Sequence, residues 1–302
     1  MFRKILVPLD RSDLSEQALG RAAEIARAAQ GELDLVLVHQ PFPFGGFDEP
    51  PWNSPAWNAD HQYLEMIAAE FASGADVVAT HTILKGDAAD MISSRADEIG
   101  ADLIVMTSHG RTGLSRAWLG SVADRVLRRS GVPVLLLRPD EGRSRVDARR
   151  EPFKHLLLAI DGSPESVTII PPAVQLAQLT GARVTLLRVV RPIPLIVPEY
   201  GIPVTAPPIV PDEAVMQQVV EEARAHLVAL AARSSENGVS VDAQIVVNDH
   251  VARAILDFAA AQGVDAIAMT TRGRGASRVL VGSTADKVLR ATNVPLLVAR
   301  PK

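Results

Sequence analysis

The residues best suited to chemistry form two groups, and each group occurs twice. The first is an Asp that closes a short apolar run: Asp10-Arg11-Ser12, and again Asp161-Gly162-Ser163. A carboxylate there can accept a hydrogen bond from a ligand amine or hydroxyl. Asp and Ser are equally the residues favoured at a helix N-cap and first turn, so both readings stand. The second group is Met106-Thr107-Ser108-His109-Gly110, then Gly120-Ser121-Val122; its counterpart is Met269-Thr270-Thr271-Arg272-Gly273, then Gly282-Ser283-Thr284. Gly110 and Gly273 let the backbone turn tightly and approach a ligand closely. A Gly-Ser pair opening a helix presents free N–H groups and a hydroxyl at the positive end of the helix dipole, which suits an anion.

The surrounding residues narrow the chemistry. Arg111 and Arg274 follow the loop glycines, with Arg116 and Arg278 further along. They can pair with phosphates or form a solvated loop face. His109 has Arg272 as its twin, and an arginine cannot give up its proton at neutral pH. His109 therefore reads as a local loop contact near the ligand, not a general base. Ser121 and Ser283 lack an activating base in sequence and read as caps or phosphate donors. There is no Walker-type G-x-x-x-x-G-K-(S/T) and no G-x-S-x-G elbow. The seven histidines show no close metal-ligand spacing, and cysteine is absent. Thiol nucleophiles, iron–sulfur clusters and cysteine zinc sites are thereby excluded. No catalytic residue and no metal ligand is assigned.

The elements that must position these groups follow from a duplication. KILVPLD at 4–10 matches KHLLLAID at 154–161, and 101–128 matches 264–290 with one gap. Both copies end in a short apolar run and Arg-Pro, VPVLLLRP at 132–139 and VPLLVARP at 294–301. The repeat unit is a whole domain. Residues 140–152 are charged and without apolar periodicity, so the expected domains are 1–145 and 146–302. Within the first half, strands are expected at Ile5–Leu9, Leu33–Val38, Val77–Leu84, Leu103–Thr107 and Val132–Leu137. Helices are expected at Leu14–Ala29, ended by Gly31, and at about Asn58–Ser73, Ala88–Ile99 and Val122–Arg129. The second half repeats the order, with strands at Leu156–Ile160, Arg183–Val189, Val241–Val247, Ala266–Thr270 and Val294–Ala299. Alternation of this kind means an α/β fold with a parallel sheet covered on both faces. Ligands of such sheets bind beyond the carboxyl ends of the strands, where both chemical groups fall.

With these residues in view, the chain resembles a tandem universal stress protein over nearly all of its 302 residues. The carriers are the G-2x-G-9x-G-(S/T) pattern and the Asp after strand one. The resemblance implies a five-stranded parallel sheet of order 3-2-1-4-5 in each domain, with the two domains pairing through their last strands. It also implies ATP (or AMP/ADP), with Mg²⁺ carried by the phosphates. Asp10 would contact adenine or ribose, and Gly110, Gly120, Ser121 and Val122 the ribose and phosphates, beside Met106, Thr107 and His109. Asp161, Val189, Gly273, Gly282, Ser283 and Thr284 would do the same in the second half, beside Met269 and Thr270.

The sequence departs from the pattern in several places. Thr107 and Thr270 replace the first glycine, where a branched side chain stands near the sugar. Gln40 replaces the apolar residue that packs on adenine, whereas Val189 is kept. Only eight residues, 274–281, separate Gly273 from Gly282. The loop length favours the first half for phosphates, and the base contact favours the second. Two Pro-rich loops, 41–57 and 192–211, read as surfaces packed on a neighbouring domain or chain, or as lids. The net charge of −4 speaks against a nucleic-acid coat or basic membrane module, and no apolar run reaches membrane length. The expected protein is a cytoplasmic adenine-nucleotide-binding stress-response sensor or regulator, with slow hydrolysis at most. Homodimerisation is a further expectation. The alternatives are an interaction module of the same fold without nucleotide, and a weak ATPase.

Overall fold

Short runs of branched apolar residues, each followed by an amphipathic stretch, form ten strands and nine helices among the described residues. The structure is a computed structural model that describes residues 2–39, 55–74, 77–109, 119–139, 152–192, 213–235, 238–271 and 282–301. The first half comprises β1 (Lys4–Leu9), α1 (Asp13–Ala29), β2 (Glu32–His39), α2 (Pro55–Gly74), β3 (Val78–Lys85), α3 (Ala88–Glu98), β4 (Leu103–Thr107), α4 (Ser121–Arg129) and β5 (Val134–Leu137). The second comprises β6 (His155–Ala159), α5 (Pro164–Val167), α6 (Ile170–Thr180), β7 (Arg183–Val190), α7 (Glu213–Ser235), β8 (Val241–Val247), α8 (Val251–Ala261), β9 (Ala266–Thr270), α9 (Ser283–Ala291) and β10 (Leu296–Ala299). The expected boundary near residue 145 lies outside the described residues.

The strands form one sheet of order β3-β2-β1-β4-β5-β10-β9-β6-β7-β8. Each half therefore has the expected order 3-2-1-4-5. Neighbours within a half are parallel. The halves join through the antiparallel pair β5–β10, with Leu136 opposite Leu296. Central β4 and β9 are buried along their whole length, whereas edge strands β3 and β8 keep exposed positions, as expected for a sheet covered on both faces. The core forms two layers. One includes Leu19 and Ile25 of α1, Leu64 and Ile67 of α2, and Leu227 of α7. The other includes Leu6, Ile104, Val126 and Val288. Each layer contains residues of both halves, and each buried Leu or Ile contributes roughly 1.5–3 kcal/mol.

Three helix boundaries differ from expectation. Gln30, not Gly31, takes the left-handed conformation that ends α1 (φ 51). Gly31 is needed for another reason: a Cβ there would stand 2.5 Å from the Arg3 carbonyl oxygen. In the second half the helix after the first strand is split into α5 and α6. Pro171 and Pro172 cannot continue a helix, so they occupy the first turn of a new one, where the missing N–H is harmless. Likewise α2 starts at Pro55, ahead of the expected Asn58.

A candidate functional site at the carboxyl end of the sheet

The turn after the first strand of each half is held by its Asp. Asp161 Oδ1 accepts from Ser163 N–H at 2.9 Å and Ser163 Oγ–H at 2.6 Å. Ser163 in turn caps α5, its Oγ accepting from Ser166 N–H at 3.1 Å. Asp10, Ser12 and Ser15 repeat the arrangement, at 3.0 and 2.5 Å from Asp10 Oδ1 and 3.1 Å at the cap. The serine is thus the cap, and the Asp orients it through Oδ1. The turn requires a positive φ, taken by Gly162 (φ 82) in one half and by Arg11 (φ 66) in the other.

The helix after the fourth strand opens differently. Gly282 N–H donates to the Thr271 carbonyl at 2.7 Å, and Gly120 N–H to that of Ser108 at 2.8 Å. These bonds dock the start of α9 and of α4 on the strand ends. Neither helix has a side-chain cap. The backbone N–H groups of Ser283, Thr284 and Ala285 therefore form an uncapped first turn, as do those of Ser121, Val122 and Ala123. Gly120 is dictated by this docking, since a Cβ would stand 2.9 Å from the Ser108 carbonyl oxygen.

In the second half these groups line an open cavity of about 540 Å³, within the range of small-molecule sites. Asp161, Val189, Met269, Thr270, Gly282, Ser283 and Thr284 all line it; Gly273 lies outside the described residues. Sequence reasoning missed other lining residues, among them Ile160, Arg188, Val190, Arg191, Val219, Val251 and Ile255. Arg191, Ser283 and Thr284 also line an adjoining groove with His250 and Lys287. The available signal was the i, i+4 pair Val251/Ile255 and the arginines flanking Val189–Val190.

The first half is built differently at the corresponding positions. Sheet register and helix burial place Arg11, His39 and Asp60 where the second half has Gly162, Val190 and Ala223. Asp60 is buried and accepts from Arg11 Nη1 at 3.0 Å, and its other oxygen lies 2.9 Å from His39 Nδ1. This network ties α2 to the ends of β1 and β2. Beside it, Trp57 meets His39 edge-on, with centroids 5.8 Å apart. Asp87 caps α3 through Oδ1 and pairs with Arg125 through Oδ2 at 2.7 Å. Its counterpart His250 caps α8 without a side-chain bond, and Lys287 stands in place of Arg125. Thr107 donates to the His109 carbonyl at 2.8 Å, and Ser108 Oγ lies 2.9 Å from His109 Nδ1. His109 is thus held within its own loop. Met106 is buried below it. Gly110, Gln40 and the loop arginines 111, 116, 274 and 278 lie outside the described residues, as does Arg272. So do 41–54 and 193–211 of the Pro-rich loops. The pairing of Gln40 with Val189 is corrected by the sheet register, which matches Val189 with Val38, so both halves keep an apolar residue at that strand position.

Two of the seven histidines meet the same carboxylate in space. His61, Glu65 and His81 bring ligand atoms within 4.8 Å of one another. His81 is far from the other two in sequence, which is why spacing alone did not reveal the set. No helix among the described residues is long and apolar enough to cross a membrane.

The fold and the duplicated strand-end geometry define a class of small α/β proteins whose parallel sheets open a cleft beyond the carboxyl ends of the strands. A sequence model of the universal stress protein family matches residues 1–138 and again 152–300. The chain belongs to the universal stress protein family, with two such domains in tandem. It is 34% identical to a universal stress protein of Methanocaldococcus jannaschii over 141 residues, covering 46% of this chain and 83% of that one. It is 33% identical to universal stress protein YxiE of Bacillus subtilis over 153 residues, covering 46% of this chain and all of that one. A universal stress protein structure from Archaeoglobus fulgidus has the same fold along the chain, with TM-score 0.67, 22% identity, and 99% and 96% of the two chains covered.

Proposed function

We propose that this protein binds an adenine nucleotide in its second half and acts as a cytoplasmic stress-response sensor or regulator. The observation that carries the proposal is the uncapped first turn of α9 opening into a cavity with an apolar wall. Phosphates would lie on the N–H groups and hydroxyls of Ser283 and Thr284, where the helix dipole favours negative charge. Arg191 and Lys287 supply positive charge beside them. The base fits against Val189, Val190 and Ile160, with Asp161 to accept from the ribose or the amine. Met269 and Thr270 flank the sugar position. Among the described lining residues Asp161 is the carboxylate, so Mg²⁺ would be held chiefly by the phosphates. Asp161 Oδ1 already accepts from Ser163 N–H and Oγ–H, which favours binding over turnover. The second half is chosen over the first because Asp60 ties Arg11 and His39 across the first-half strand ends, whereas Ala223 stands at that position in the second half.

The test is to purify the protein without added nucleotide, denature it, and identify released small molecules by mass spectrometry, followed by ATP titration. One nucleotide per chain is expected, and Val189→Trp, which fills the cavity, should abolish binding. Two per chain would overturn the assignment to one half. None released and none bound would overturn nucleotide binding and leave the interaction module. Hydrolysis above about 1 s⁻¹ would be enzyme-like and would overturn the sensor reading.

A further inference from the structure

Away from the ligand end of the sheet, three metal-ligating side chains meet on one flank of the first half. His61 and Glu65 lie one turn apart on α2 and share a face of that helix. His61 Nδ1 is 3.2 Å from Glu65 Oε1. His81 lies on the edge strand β3 between Ala79 and Ile83, which pack into the core layer that includes α2. Alternation along the strand puts His81 on that same face. Its ring meets the His61 ring edge-on, with centroids 5.6 Å apart and planes at 86°.

We propose that His61, Glu65 and His81 bind a divalent transition-metal ion, Zn²⁺ by the chemistry of the donors. Two imidazoles and one carboxylate suit Zn²⁺, whereas Ca²⁺ and Mg²⁺ take oxygen donors. Around a tetrahedral zinc ion with bonds near 2.0–2.1 Å, ligand atoms sit roughly 3.3–3.5 Å apart. The ligand atoms here already lie within 4.8 Å of one another, and His61 and Glu65 are exposed, which leaves their side chains room to rotate toward an ion. Three protein donors leave a fourth position for water or a small anion, the pattern of open zinc sites.

The duplication provides an internal control. Sheet register aligns His81, opposite Leu35, with Ala243, opposite Leu186. The burial pattern of the helices aligns His61 and Glu65 with Arg224 and Val228. The second half thus packs the same helix on the same strand with none of the three donors. The fold does not require this cluster, and it is a property of one half.

The test uses the full-length chain, free of any affinity tag and treated with chelator, titrated with ZnCl₂ in a calorimeter. One ion per chain is expected. His61→Gln and His81→Gln should each weaken binding by about tenfold or more, since losing even an outer-shell partner costs 10–100-fold. Glu65→Gln, which keeps the side-chain shape, should weaken it too. His226→Gln, on α7 of the other half, should leave it unchanged. Co²⁺ should give visible absorption bands that disappear in His81→Gln, with circular dichroism showing the fold retained. Failure of the wild-type protein to take up Zn²⁺ at micromolar concentration would overturn the proposal. So would equal uptake by both histidine variants.

Discussion

Asp60 is buried on α2 and joins Arg11 to His39, whereas Ala223 holds the corresponding position on α7. A carboxylate at this point draws two cationic or polar side chains across the strand ends, and an alanine leaves the ends apart. Removing Asp60 strands Arg11 and His39, but the Arg11 side chain is 41% exposed and can rehydrate. Asp60→Ala should therefore cost about 1–3 kcal/mol of stability, below the penalty for breaking a fully buried pair. Urea denaturation measures this, and nucleotide affinity in the second half should not change. His155 gives a second residue-level expectation. Its Nδ1–H donates to the Gln262 carbonyl at 3.3 Å and its Nε2 accepts from Thr185 Oγ1–H at 2.8 Å. Burial, and secondarily the charge of Arg183, holds its pKa below the ordinary value. The folded protein keeps His155 neutral while the unfolded chain takes up a proton near pH 6.5. Below that pH the unfolded state binds more protons, so stability falls as pH falls. The melting temperature of the wild type should drop more steeply from pH 7 to pH 5 than that of His155→Gln. Parallel curves would show that His155 does not carry the acid sensitivity.

At the scale of elements, α4 and α9 are near-identical helices with uncapped starts that face different surroundings. An Asp at the first helical position favours the helix dipole by about 0.3–1 kcal/mol, yet it repels a phosphate. Ser283→Asp should thus keep or raise thermal stability while weakening ATP binding at least tenfold. Ser121→Asp should affect stability alike and binding not at all. Titration of the two variants separates a phosphate site from a mere helix end. The strands were the most legible elements: β4 and β9 fall on their expected residues because buried apolar runs bounded by turns leave little freedom, and edge strand β8 does so through the apolar–polar alternation of residues 241–245. Helix ends were less legible. Gly31 marks the end of α1 in sequence, but its role is a close approach to Arg3 that only the folded chain creates. The seven second-half residues named from sequence that fall among the described residues do meet in one cavity, since strand ends and helix starts are local features. The pairing of Asp60 with Arg11 and His39 was not legible, because α2 reaches β1 and β2 only through the tertiary fold. The same holds for His81 beside His61.

The whole molecule is one ten-stranded sheet, and its seam is closed by reciprocal arginines. Arg138, after β5, donates to the Leu289 and Thr292 carbonyls at the end of α9, and to Ser108 Oγ at 3.3 Å. Arg300, after β10, donates to the Arg129 carbonyl at the end of α4 at 3.2 Å. Each half thus caps the last helix of the other, where carbonyls lack partners and the dipole favours a cation. Arg21 of α1 adds a third link, its guanidinium 4.1 Å from the centroid of the Phe153 ring. Both core layers run across the seam, so the halves should unfold together in a single calorimetric transition. Arg138 spans acceptors on α9 and on the β4 loop, and hydrogen bonds to a charged donor are worth roughly 1.5–3 kcal/mol. Arg138→Ala should remove about 2 kcal/mol and lower the melting temperature. Arg138→Lys should recover little of the loss, because an ammonium lacks the planar fork that serves separate acceptors. Because the seam also carries strand pairing and core contacts, the transition of Arg138→Ala should remain single. Two resolved transitions in the wild-type protein would show instead that the domains are energetically independent and that the arginine clasp couples nothing.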